Sequence, residues 1–451
     1  MILSDSGYTT YFDKECTFVR EGMRMFLVST KENENLSKHF NEKNYHLQLR
    51  TAIFNNCTAY VEQQLLSDLN NVFVELKYFI KRIDDIEINS IEMIANEIDE
   101  FFSPLDFYFR LKRSNKYVSS DLLYDCQIIK SYSFIYKNHK IIADVLYGGI
   151  LSDGVRSDLF VHPILSLKFD KTSDTDFLFE LYEIVIKLLQ FAHRKQSYNI
   201  KRIDLYSNRN GSKSYSGNML CSEYNNEVRS KSRIEASFMY YGDQLSNILD
   251  IIASEKDTFP ISHLDYSYSN YYNYTPRRAA ALFSAFEYEY KKNNEYPQKS
   301  MEDAQELKDK VISYIKSINE ENELTAEFKK IAKNKISDIG GSPGFTRKIK
   351  EAYKRNDGVF IHSRQSLFLR NGDLRASADR LNRIRQTIVH DDIELKFDDY
   401  DIECLRFLEV LQFVMTLKRA KYDNQEIEEL IGIIYGCNSV YLQNLIIGDE
   451  E

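Results

Sequence analysis

TPRRAAALFSAFEYEYKK (275–292) is where the pattern of the chain changes. Thr275 is an N-cap residue type, and Pro276 suits the first helical position, where its missing N–H leaves nothing unsatisfied. Ala280, Leu282, Phe283, Phe286 and Tyr290 recur at i, i+3 and i+4 intervals, so the segment reads as an amphipathic helix. Helical spacing then persists to the end. It covers 301–318 with Ser300 as cap, 325–338 stopped by Gly340-Gly341, and a short basic helix at 345–355. It continues over 377–390 from Ser377, through a long apolar stretch at 401–420, and over 425–435 to Gly436. Connections are short apart from 356–376, which makes residues 276–451 an all-α bundle of five to seven helices.

Upstream the period is different. Residues 17–29, 46–54, 72–80, 105–112, 141–150, 159–169 and 200–206 are rich in Phe, Val, Leu and Tyr, with the rough alternation of half-covered strands. Helical spacing interrupts them at 90–102, 176–192 and near 242–255. The fold class is therefore α+β: residues 1–255 form a mixed domain on antiparallel strands, and 256–275 connect it to the helical part. That connector is dominated by Tyr, Ser and Asn. Its cluster Tyr266, Tyr268, Tyr271, Tyr272 and Tyr274 suits packing between domains, and would also suit base stacking.

Composition narrows the function. Only 16 Gly and 6 Pro in 451 residues exclude a linker-dominated chain, while 32 Tyr and 28 Phe supply large cores. A net charge of −9 excludes a generic polyanion binder, so any nucleic-acid site must be a local basic surface. The six cysteines form no C-x-x-C pair, which argues against zinc-ribbon and thioredoxin sites. No His/Asp/Glu spacing matches a metal centre, and no cofactor is expected. MILSDSGYTTYFDKE (1–15) lacks a secretion-signal profile and no run of ~18 apolar residues occurs. A reducing cytoplasm without membrane attachment is the expected setting.

The stretch that carries chemistry is SADRLNRIRQTIVHDD (377–392). Arg385 and His390 stand five positions apart, ~7.5 Å along a helix axis and about 140° around it. They cannot bond each other directly, but both reach a phosphate off the helix end. Arg383, seven positions before His390, lies nearly in line with it and competes for the arginine role. Such a pair suits metal-free RNA cleavage, in which the ribose 2′-hydroxyl attacks the adjacent phosphorus. Histidine exchanges the protons near neutral pH, and a guanidinium stabilises the phosphoryl charge. The same spacing also suits a helix-end histidine near the C-terminal dipole beside a surface arginine. Between Arg347 and Arg385 eleven basic side chains face four acids, a local charge of +7. A similar pair, Arg156 and His162, falls in a strand-like run before Pro163 and reads as structural. Gly340–Gly344 reads as a turn between helices rather than a phosphate cradle, and His362 as structural.

Together with CLRFLEVLQFVMTLKRAKYD (404–423), AALFSAFEYEY (280–290) and FTRKIKEAYKR (345–355), this stretch resembles the HEPN superfamily. Within it, the segments look most like the ApeA-like branch of bacterial abortive-infection proteins, over roughly residues 275–440. The resemblance implies a metal-independent endoribonuclease whose R-x4–6-H motif falls on Arg385 and His390. Gln386 stands where the family often has Asn or another polar residue. Glu287 matches an acidic position near such sites, though it also suits a pair with Lys291 at i+4. Arg383, Arg380, Arg375, Gln386 and Glu287 are the supporting or RNA-binding positions. The resemblance further implies RNA as partner, transfer RNA included, a homodimer, and an amino-terminal domain that senses a phage-derived trigger. The alternative is an inactive dimerisation or binding module in which Arg385 and His390 are remnants; nucleotidyl transfer lacks a paired-carboxylate motif.

Overall fold

Strand pairing organises the first half of the chain. The structure, a computed structural model, describes residues 4–31, 35–39, 42–67, 70–83, 85–103, 128–150, 160–193, 200, 203–209, 211–221, 237–259, 274–293, 302–318, 323–337, 344–360, 374–390 and 396–435. Two units emerge, Met1–Ser262 with Tyr266–Tyr268, and His263–Asp265 with Ser269–Glu451. In the first unit β1 (Ser4–Tyr11), β2 (Lys14–Glu21), β3 (Arg24–Ser29), β4 (Tyr45–Thr51), β5 (Asn56–Ser67) and β6 (Asn71–Arg82) follow the order β3-β2-β1-β4-β5-β6. The pairing of β3 with β6 closes them into a six-stranded antiparallel barrel. Burial alternates along β2, β3 and β4, and the inward set includes Cys16, Phe18, Met25, Leu27, Leu47, Leu49, Val72 and Val74. Gly7 of β1 lies so close to β4 that a Cβ there would collide with the Arg50 carbonyl, which excludes a larger residue.

The second half of β6 leaves the barrel and pairs with β12 (Ser212–Cys221). The sheet continues through β11 (Ile203–Arg209), β7 (Ile88–Met93), β10 (Phe160–Thr172) and β9 (His139–Ile150) to β8 (Ile128–Tyr136). Asp174 caps α2 (Thr175–His193), accepting hydrogen bonds from the Asp176 and Phe177 amides. This helix is apolar on nearly all sides, and Phe177 and Phe179 pack it on Tyr136, Phe169 and Tyr78 of the sheet. At the β8 edge, Ser246 and Asp250 of α4 (Leu245–Ser254) accept hydrogen bonds from the Ser133 and Ile135 amides, so a helix covers N–H groups that would otherwise template pairing.

Two expectations need correction. Residues 17–29 are two strands, because Gly22 at φ +59° turns the chain between β2 and β3. Residues 90–102 are a helix only over α1 (Asn96–Phe101); Ile88–Met93 is a strand flanked by β10 and β11. Tertiary pairing there overrides the local period. Residues 105–112 lie outside the described part. β1, β5, β8 and β12 were not anticipated. A second short helix, α3 (Phe238–Tyr241), precedes α4.

A buried charge ties the barrel wall. Asp5 accepts from Lys81 Nζ at 2.6 Å and from Arg20 Nε at 3.0 Å, and Arg20 is almost wholly buried over the Phe79 ring. Burial alone would push the Asp5 carboxyl up, but its bonds to Lys81 and Arg20 win and hold it below the usual range. A depressed carboxyl contributes stability that is present above its unfolded value, ~3.9, and lost as pH falls through its folded value. Asp5→Asn is expected to unfold at lower denaturant than the parent at pH 7, and the gap is expected to close as pH drops below ~3.9. Urea titrations at pH 7, 4 and 3 check this; a gap that stays constant refutes it.

The described regular elements of the second unit are all helical: α5 (Pro276–Lys292), α6 (Glu302–Ser317), α7 (Glu323–Ser337), α8 (Phe345–Arg355), a 3-10 turn (Asp357–Val359), α9 (Leu374–His390), α10 (Asp399–Arg419) and α11 (Asn424–Tyr435). The Thr275 hydroxyl accepts from the Arg278 amide, with Pro276 opening the helix as anticipated. α9 starts at Leu374, three residues before Ser377. That serine is buried, its hydroxyl 3.3 Å from that of Tyr400. Ser300, Gly340-Gly341, His362 and Gly436 lie outside the described residues. α10 is the buried centre, packed by α5, α8, α9 and α11. Asp398 and Asp401 form a capping box at its start. Two ion pairs join it to α5: Arg278 with Glu409, and Arg419 with Glu289. Cys16, Cys57, Cys221 and Cys404 are buried thiols. Among the described residues, no helix is long and apolar enough to cross a membrane.

Candidate functional site

Three helices of the second unit meet around one carboxylate. The apolar stripe of α8 places Phe345, Ile349, Ala352 and Tyr353 toward the core, and Phe345 packs edge-on against Phe283 and Phe286 of α5 at 5.4 and 5.7 Å between ring centroids. That contact sets α8 beside Glu287, the residue after Phe286. One turn on from Phe345, Lys348 donates to Glu287 Oε1 at 2.8 Å. From α9, Arg385 Nη2 donates to Glu287 Oε2 at 3.2 Å, and its guanidinium lies 5.2 Å from the centre of the Phe345 ring. Burial pushes the Glu287 carboxyl up, but the bonds and charges of Lys348 and Arg385 hold it below its ordinary value. It is a carboxylate at neutral pH, so the cluster carries one net positive charge.

Beside this cluster an open cleft of about 590 Å³ runs between the start of α8 and α9. Phe345 and Arg385 form part of it, with Arg347, Lys350, Asn382 and Gln386 around them. Arg347 is held to Glu351 at 2.7 Å, whereas Lys350 makes no ion pair among the described residues. An open concavity with three cations and two amides suits a phosphate-bearing ligand. A second depression, about 690 Å³, lies on the barrel unit near Tyr8, Thr10, Gln48 and Arg50, and holds none of the anticipated residues.

The anticipated positions fare differently. Arg385 and Gln386 line the cleft, and Glu287 binds Arg385 and Lys348. Arg383 is exposed and stands about 200° around α9 from Arg385, away from the cleft. Arg380 is committed elsewhere: it grips Asp401 with Nε and Nη2 at 2.6 and 3.1 Å and Asp398 at 2.7 Å, fastening α9 to the start of α10. Arg375 is exposed, 3.9 Å from Asp379. α9 continues as helix to His390, so its backbone keeps the five-position separation from Arg385. The placement of the imidazole lies outside the described residues. Arg156 is outside them too, whereas His162 falls within β10.

Phe345 and Asn382 were not singled out from the sequence, and Lys348 and Lys350 only as members of the basic run between Arg347 and Arg385. Lys348 had a readable signal: it interrupts the i, i+3, i+4, i+7, i+8 apolar stripe of α8, where a lysine needs a buried partner. Among the described residues, no three His, Cys, Asp or Glu side chains converge as metal ligands. Compared with known proteins, the chain matches no family model, no curated protein and no solved structure.

Proposed function

We propose that the helical unit is a metal-independent endoribonuclease of the HEPN type, as its resemblance to the ApeA-like branch implies. The observation that carries this reading is Arg385 at an open, cation-lined cleft, on the same helix that ends at His390. An RNA strand lies along the cleft with its phosphates on Lys350, Arg347 and Arg385. The 2′-oxygen attacks the neighbouring phosphorus and the bond to the 5′-oxygen breaks. One proton leaves the hydroxyl and one is delivered to the departing oxygen, with His390 as general acid/base. Arg385 stabilises the charge that builds on the phosphoryl oxygens. DNA has no 2′-hydroxyl and is not cut.

The resemblance implies a homodimer in which two α9 helices complete one cleft. The barrel unit is then the sensor that restrains the cleft until a phage-derived trigger engages it, giving abortive infection. Transfer RNA is one substrate to include in the assay. Purified protein incubated with total RNA is expected to cleave equally with and without EDTA, leaving 2′,3′-cyclic phosphate and 5′-hydroxyl ends. Cleavage lost on chelation, or 5′-phosphate products, overturns the reading; RNA binding without any cleavage favours the inactive binding module.

A further inference from the structure

We propose that Lys348 is a positioning residue that, by taking up half of Glu287, stops that carboxylate from cancelling the charge Arg385 presents to an incoming phosphodiester. This deepens the ribonuclease reading and rests on it. The starting observation is a cost: the Lys348 side chain is 9% exposed, on a stripe otherwise apolar, and a buried ammonium is tolerated only where it is paired. Its partner is Glu287 Oε1, at 2.8 Å, and the Tyr290 ring lies 5.8 Å from its nitrogen. Glu287 offers its other oxygen to Arg385.

Charge decides what that division does. A guanidinium paired alone with a carboxylate is neutral as a unit, and a phosphate approaching it meets the carboxylate as well. With Lys348 bound to the same carboxylate, two cations share one anion and the unit keeps a full positive charge beside the cleft. Donor use agrees. Arg385 has five N–H donors and gives one to Glu287, through a bond of 3.2 Å; its remaining N–H groups make no hydrogen bond among the described residues. Glu287 thus aims the guanidinium, Phe345 supports its face, and Lys348 stops the aiming carboxylate from cancelling its charge.

Binding of a labelled single-stranded RNA oligonucleotide, measured across a salt series, tests this with five variants of the full chain. Lys348→Met is expected to weaken binding about tenfold and to lower the slope of log K against log salt by about 0.7, as for one lost phosphate contact. Glu287→Gln is expected to tighten RNA binding while lowering thermal stability, the opposite sign from a purely structural loss. The double variant Glu287→Gln/Lys348→Met is expected to recover parental affinity and slope, since Arg385 then stands uncompensated. Lys348→Arg is expected to behave as the parent. Parental behaviour of Lys348→Met, or a double variant as weak as Lys348→Met, overturns the proposal. Arg385→Ala separates it from the underlying reading: if that variant binds and cleaves as the parent does, the ribonuclease site itself is wrong. If Lys348→Met fails to fold, the double variant against Glu287→Gln alone decides the question.

Discussion

Glu409→Ala is expected to destabilise the helical unit by about 3–5 kcal/mol. Glu409 and Arg278 face each other across α10 and α5 at 2.9 Å, with side chains 3% and 2% exposed. The Tyr274 hydroxyl donates to the same carboxylate oxygen at 2.8 Å, and the Arg278 guanidinium lies 4.2 Å from the centre of the Tyr274 ring. Removing the carboxylate takes the compensating anion from a desolvated guanidinium and the acceptor from a buried hydroxyl, and the guanidinium cannot neutralise itself by losing a proton. Glu409→Gln keeps an acceptor for Tyr274 and is expected to cost less than the alanine. Arg278→Leu/Glu409→Leu removes both charges and is expected to cost less than the alanine, because the attraction in such pairs roughly repays desolvation; the Tyr274 hydroxyl, deprived of this acceptor, still costs about 1–3 kcal/mol. Chemical denaturation of the three variants checks the series. An alanine variant within ~1 kcal/mol of the parent would falsify the assignment of this pair as a buried tie.

The two halves of the chain were legible to different degrees, for a physical reason. Helices are written in local spacing, and Thr275-Pro276, the Phe345–Tyr353 stripe and the apolar run of α10 each announce their element within a few turns. Barrel closure depends on Met25 meeting Val74 and Phe26 meeting Phe73, pairings that no local window contains. The same limit explains Ile88–Met93: its helix-like spacing is overruled by strands that arrive more than seventy residues later. At the candidate site, α9 was readable as a helix, whereas Glu287 was named only through the family resemblance. The convergence was not readable, because Glu287 lies 61 residues from Lys348 and 98 from Arg385. Arg380 shows the converse. A basic residue on the motif helix looked available for a ligand, yet Asp398 and Asp401 ahead of it in sequence claim it.

Arg385→Ala is expected to lower RNA cleavage by about 10²–10³-fold, and His390→Ala by about 10²–10⁴-fold, without loss of helical content. In the proposed mechanism the first removes the cation that meets the phosphoryl oxygens, the second the group that moves both protons. Combined, the losses are expected to fall well short of multiplying, because each group works on the transition state that the other helps to form. Arg385→Lys is expected to resemble the alanine. A single ammonium cannot hold Glu287 and also present a planar pair of donors to a phosphate. Mixing the two inactive proteins adds a geometric test. If Arg385 of one copy works with His390 of another, a mixed dimer contains one site with both groups intact, and cleavage returns. If both groups act within one copy, every site in the mixture lacks one of them and cleavage stays lost. The homodimer that the resemblance implies makes recovery the expected result, measured as cleavage of total RNA after subunit exchange. Full activity of either single variant rejects the pair as the catalytic groups, whatever the mixture does.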